Sequence, residues 1–186
     1  MELFGSTTSP FVRHCRIALE QEQIEYTFTQ ADYKRSATES PMQKVPYLKD
    51  GELYLTDSSS ILKYIREKSG DKHFCADIKE FEHFTMVNTL LDTAINIFLL
   101  ERSGITADNV NYLQRQKQRL DTGLTALSQW VIPAQVIESD AHIRCACFID
   151  WAIFRERLMF DDHPVLLALL EKAQAEALFQ KTNPRN

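Results

Sequence analysis

The sequence predicts an α/β plus all-α chain of 186 residues, with a mixed strand–helix part first and a purely helical part after it. Three features point that way. Up to residue 69, short apolar runs separated by turn residues alternate with helical patterns. Beyond that point, apolar residues recur only at three-to-four spacing. Composition shifts near Ser69-Gly70-Asp71-Lys72, which sets the parts at 1–69 and 76–186.

Glu2 to Phe4 reads as a short strand. Ser9-Pro10 then starts a helix, with a hydroxyl at the N-cap and proline at the first helical position. Its apolar face is Phe11, Val12, Cys15, Ile17, Ala18 and Leu19. Ile24 to Thr29 alternates apolar with polar, as a strand does, and Ala31 to Pro41 is polar loop with a short helix. Val45–Leu48 and Glu52–Leu55 flank Asp50-Gly51, a strong hairpin signal. Asp57-Ser58-Ser59-Ser60 opens a helix through Ile61, Leu62, Tyr64 and Ile65. Four helices follow. The first carries Phe81, Phe84, Val87, Leu91, Ala94 and Phe98, and the second Leu113, Leu120, Leu124, Leu127 and Val131. The third starts near Ser139 and carries Ile143, Ala146, Ile149, Ala152 and Ile153. The fourth starts at His163-Pro164 and carries Val165, Leu166, Leu169 and Leu170.

Composition narrows the function. With 44% hydrophobic and 25% charged residues, the chain has enough apolar material to fold. A net charge of −5 argues against nucleic acid as the main partner. No uninterrupted apolar run approaches the roughly 18 residues of a membrane span. No basic stretch precedes an apolar one at Met1-Glu2-Leu3-Phe4-Gly5, so a cytoplasmic protein is expected. Cys15, Cys75, Cys145 and Cys147 form no CxxC pair and are expected as buried thiols, without disulfide or metal. His14, His73, His83, His142 and His163 lack metal-ligand spacing and are expected to be solvated or capping. Arg115, Lys117 and Arg119 read as a solvated helix face, and Tyr112, Trp130 and Trp151 as core or interface aromatics.

Three short segments can carry chemistry. Ser9 stands where a helix begins, beside free N–H groups and the positive dipole end, which would stabilise a bound thiolate. Taken alone it is an ordinary cap. Lys44-Val45-Pro46-Tyr47-Leu48 puts a proline at a strand start, a candidate cis bond. Such a turn exposes the Val45 backbone for pairing with a peptide-like ligand, with Lys44 available to a carboxylate. Asp57-Ser58, at another helix start, can hold the charged end of an amino-acid-like ligand, or simply cap.

In this order and on this fold, the segments resemble the glutathione S-transferase family. Ser9-Pro10-Phe11-Val12-Arg13 with Arg16-Ile17-Ala18-Leu19 is similar to the first-helix motif of serine-type members, notably the tau and zeta classes and related bacterial proteins. Ser40-Pro41-Met42-Gln43-Lys44-Val45-Pro46-Tyr47-Leu48 is similar to the family's Asn-Pro-x-Gly-Lys-Val-Pro-x-Leu stretch, and Asp57-Ser58 to its Glu/Asp-Ser helix start. The ending, His163-Pro164 through Lys181-Thr182-Asn183-Pro184, also resembles many bacterial members.

The resemblance implies a thioredoxin-like N-terminal domain, an all-helical C-terminal domain and a homodimer. Glutathione would be the co-substrate and a small apolar electrophile its partner, in a detoxification reaction without metal. It implies that Ser9 activates the glutathione thiol and that Val45, before cis Pro46, pairs with the cysteinyl unit. Asp57 and Ser58 would hold the γ-glutamyl end, and Lys44 would face the glycyl carboxylate. A glutathione-dependent isomerase or reductase, or a non-catalytic protein-interaction module, would use the same fold. Two positions depart from the family pattern. Gln43 replaces its glycine, so a changed turn is expected. Ser139-Asp140-Ala141-His142 replaces a Ser/Thr-x-x-Asp capping box, so a weaker helix start, or substitution by Asp140, is expected.

Overall fold

The computed structural model describes residues 1–70 and 73–185; Asp71 and Lys72, within the sequence boundary, lie outside them. The chain starts with β1 (Glu2–Gly5), α1 (Pro10–Gln21) and β2 (Thr27–Gln30), followed by α2 (Tyr33–Glu39). Next come β3 (Tyr47–Asp50), β4 (Leu53–Leu55) and α3 (Ser58–Ser69). The helical part contains α4 (Ile78–Arg102), α5 (Asn111–Leu127), α6 (Asp140–Phe154) and α7 (Pro164–Gln174), and α8 (Ala177–Lys181) closes the described chain.

The four strands form one mixed sheet in the order β2-β1-β3-β4. β1 and β2 run parallel through the α1 crossover, while β3 lies antiparallel to both β1 and β4. Alternation of side chains sorts the core. Leu3 and Leu48 are paired and buried on one face. Phe4 and Tyr47 are paired on the other, where they pack with Ala31 and Val45. The buried face of α1 includes Val12, Cys15 and Leu19, and that of α3 Ile61, Leu62 and Ile65; the two helices pack together. Gly5 is required where β1 meets α1, because a Cβ there would lie 2.5 Å from Val12 Cγ2.

Two compact units result, Met1–Ala76 with Gln174–Asn186, and Asp77–Ala173. The division therefore differs from a simple cut at 69–76. The tail returns to the first unit because buried Arg13 on α1 donates to the Phe179 carbonyl at 2.7 Å and lies over the Phe179 ring. Arg13 also donates to Thr182 Oγ1, and Lys181 pairs with Glu20 at 2.7 Å. Helical periodicity did not reveal α8, which has five residues and a single buried one, Phe179.

In the second unit α4 packs against α5 and α6. By length and composition α4 could cross a bilayer, which the search for an uninterrupted apolar run missed. However, Phe84, Val87, Leu90, Leu91, Ala94 and Ile97 on it are buried, the behaviour of a core helix. α5 ends at Leu127, not at Val131, which is 86% exposed. Pro133 disfavours helical backbone at Ile132, which limits any continuation. Tyr112 is exposed rather than core, whereas Trp151 is buried. Cys15, Cys145 and Cys147 are buried, while Cys75 is only half-buried.

The start of α6 keeps its cap without the usual acid. Ser139 Oγ accepts from the His142 N–H at 3.4 Å and lies 2.9 Å from the His142 ring. The same hydroxyl donates to Glu80 on α4, at 2.9 Å. The His142 ring lies beside this cap, and its Nε2–H donates to the Val131 carbonyl at 3.2 Å. His163 has a comparable hydroxyl partner in Ser128, at 2.9 Å, but His14 is fully buried in α1 rather than solvated.

Candidate functional site

Register brings three segments to one end of the sheet. Phe4, near the end of β1, pairs with Tyr47, the first residue of β3. Val45 and Pro46 therefore lie beside the turn that leaves β1 for α1. β4 runs back antiparallel to β3, and its last residue Leu55 pairs with Leu48. Asp57, two residues later, emerges at that same end. Cys15 Sγ on α1 approaches the carbonyl of Ser58 at 4.0 Å, a local mark of this packing.

Ser9 is the N-cap of α1. Its Oγ accepts from Val12 N–H at 3.4 Å, and Pro10 occupies the first helical turn. Among the described residues the Ser9 hydroxyl hydrogen has no acceptor, so the group can donate outward while it caps. The neighbouring hydroxyl differs. Thr8 Oγ1 lies 3.0 Å from Ser6 Oγ, a bond internal to the loop.

The peptide bond between Val45 and Pro46 is cis. Pro46 is buried and Val45 half-buried. Gln43 sits just ahead at φ 51°, in the left-handed region that favours glycine. The sequence departure at this position thus leaves an exposed glutamine in a conformation its Cβ disfavours.

Asp57 caps α3, with Oδ1 accepting from Ser59 N–H at 2.8 Å. Ser58 is buried at the first helical position. Lys44 Nζ lies 3.7 Å from Asp57 Oδ2, and both side chains are half exposed. The lysine expected to face a ligand carboxylate is therefore paired with another candidate residue. Such an exposed pair contributes about 0–1 kcal/mol, so an incoming ligand can replace it at little cost.

Sequence reasoning missed the support behind this loop. Glu39, the last residue of α2, accepts from Arg35 Nε at 2.8 Å and from Tyr47 OH at 2.9 Å. The bond to Arg35, then that to Tyr47, holds the Glu39 carboxyl below the usual carboxylate range. Burial, then the Glu39 bond, pushes the Tyr47 phenol up to about 12, so it remains a donor. No periodic pattern could signal a polar anchor of this kind. Cavities of about 740, 580 and 350 Å³ lie elsewhere, one beside α1 and β2 and two along α4 and α5. No cluster of three or more His, Cys, Asp or Glu suited to a metal occurs among the described residues.

Comparison with known proteins bears on the family and the fold. Residues 3–73 match the family described as "Glutathione S-transferase, N-terminal domain". The uncharacterized GST-like protein YibF of Escherichia coli K12 is 26% identical, over 99% of this chain and 98% of that protein. A probable glutathione S-transferase of rice, GSTF2, is 34% identical over 37% of this chain. The match spans about a third of the length of that plant protein and of a maize glutathione S-transferase. A glutathione S-transferase of Methylobacillus flagellatus KT, solved with glutathione bound, superposes with a TM-score of 0.84. It is 21% identical, with 98% of each chain covered. The thioredoxin-like unit and the helical unit are thus those of the glutathione S-transferase fold. The family model covers residues 3–73, and the likeness of fold extends over 98% of the chain.

Proposed function

We propose that the protein is a cytoplasmic, serine-type glutathione transferase that acts as a homodimer. Glutathione is the co-substrate and a small apolar electrophile the second substrate. The observation that carries this reading is Ser9, a helix N-cap whose hydroxyl hydrogen is uncommitted among the described residues. The α1 N-terminus favours the glutathione thiolate through its dipole and N–H groups, and Ser9 donates one hydrogen bond to the sulfur. The thiolate then attacks the electrophile and forms the carbon–sulfur bond, and the leaving group departs with the bonding pair. Electrostatic stabilisation supplies the rate enhancement, with no covalent enzyme intermediate.

The Val45 backbone pairs with the cysteinyl unit in the manner of a strand. The buried Ser58 hydroxyl and the α3 N-terminus receive the γ-glutamyl carboxylate, and Asp57 its ammonium. Lys44, released from Asp57, turns to the glycyl carboxylate. The fold of a glutathione-bound transferase supports the arrangement.

Calorimetric titration with glutathione tests it. Saturable binding that weakens in both Ser58→Ala and Asp57→Ala is expected. Absence of binding at millimolar glutathione would remove the proposal.

A further inference from the structure

Outside the residues assigned to glutathione, one polar cluster stands directly behind the loop that carries them. α2 has a single buried residue, Ser36, so little apolar packing holds it. Tyr33 at its start is 72% exposed. Its hold on the sheet runs through Arg35, which donates to the Gln30 carbonyl on β2 at 3.4 Å and lies over the Phe4 ring, and through Glu39, which meets β3 and β4. One carboxylate oxygen accepts from Arg35 within the helix and the other accepts from Tyr47 OH on β3. The Glu39 carbonyl, one of the helix-terminal carbonyls that lack a helical donor, accepts from Tyr54 OH on β4. Tyr47 is a fixed anchor, fully buried and stacked on Phe4 with centroids 4.6 Å apart.

The bond from Tyr47 to Glu39 closes the loop 40–46, and that loop carries Lys44, Val45 and Pro46. We infer that Glu39 is a positioning residue for glutathione, locking loop 40–46 in its binding shape through Tyr47 and Tyr54; this rests on the transferase reading above. Without the lock, each binding event must first order the loop, and the cost appears as lost affinity. Ser9 and the α1 N-terminus lie on another element, so ionisation of the bound thiol stays as it is. The side chains of Glu39 and Arg35 are partly exposed, so their loss opens the loop locally without unfolding the unit.

The test is calorimetry with reduced glutathione on wild type, Glu39→Ala, Glu39→Gln and Tyr47→Phe. Amide hydrogen exchange over residues 40–46 and the absorbance of the bound thiolate against pH are measured on the same proteins. Glu39→Ala and Tyr47→Phe should each weaken glutathione by about tenfold, the size of one hydrogen bond to a charged group. Exchange in 40–46 should quicken, the thiolate titration at saturating glutathione should match wild type, and Glu39→Gln, which keeps an acceptor for Tyr47, should lose less. Wild-type affinity and wild-type exchange in Glu39→Ala would overturn the inference. A wild-type protein that does not bind glutathione overturns the transferase reading itself, and this inference with it.

Discussion

Replacing Ser9 with alanine separates its two roles. As a cap, Ser9 accepts from Val12 N–H at 3.4 Å, the long end of the range, so its loss should cost about 0.5–1 kcal/mol. For a chain of this size that lowers the thermal midpoint by about 1–4 °C. As a donor to sulfur, the hydroxyl forms a hydrogen bond to a charged group, worth about 1.5–3 kcal/mol in favour of the thiolate. At 1.36 kcal/mol per pH unit, the bound thiol of Ser9→Ala should titrate about one to two units higher than in wild type. The sign is fixed: a thiol that holds its proton longer leaves less thiolate at neutral pH, so the activity profile moves to higher pH. The thiolate's ultraviolet absorbance, followed against pH at saturating glutathione, reads this directly, and Ser9→Thr should restore most of the loss. A titration of Ser9→Ala that overlays wild type would refute the donor role, whatever happens to the thermal midpoint.

Other expectations concern stability. Arg66 and Glu22 form a buried ion pair, 3% and 5% exposed, at the ends of α3 and α1, with Gln21 also accepting from Arg66 at 2.9 Å. Arg66→Met should cost about 3–5 kcal/mol in urea unfolding, and Arg66→Met with Glu22→Leu should recover most of it; a single-variant cost below about 1 kcal/mol would contradict a desolvated pair. Gln43→Gly should stabilise by up to about 1 kcal/mol, since relief of the left-handed strain exceeds the added unfolded-state entropy. A loss of stability would show that the exposed side chain makes a compensating contact. Burial lowers the His142 pKa, and the charge of His83 adds to that, against the Val131 carbonyl and Glu80. Because the unfolded chain binds the proton more readily, stability is full above about pH 6.5 and falls as pH drops towards the lowered folded value. His142→Gln should flatten that fall; an unchanged pH dependence of the urea midpoint would assign it to other groups.

The sequence made the elements near the site legible because their signals are local. A hydroxyl followed by proline marks the start of α1, and an acid followed by hydroxyls marks the start of α3. Asp50-Gly51 marks the β3–β4 hairpin, with Gly51 at φ 59°. Strand boundaries were harder. β2 begins at Thr27 rather than Ile24, since pairing with β1 and not alternation decides which residues are strand. The α5 terminus and α8 were missed for the same kind of reason, as neither carries a long apolar period.

What the sequence determined by itself was therefore the order of elements, the caps and the three candidate segments around Ser9, Val45-Pro46 and Asp57-Ser58. Each rests on residues within a few positions of one another. Only the tertiary structure decided which distant groups meet. It paired Lys44 with Asp57, closed loop 40–46 with Glu39 and Tyr47, and buried Arg13 against the returning tail. Those contacts link residues 8 to 166 positions apart, in polar pairs that follow no helical or strand period. Their partners are selected by the register of the sheet and the packing of helices on it, a property of the whole folded unit that no local window contains.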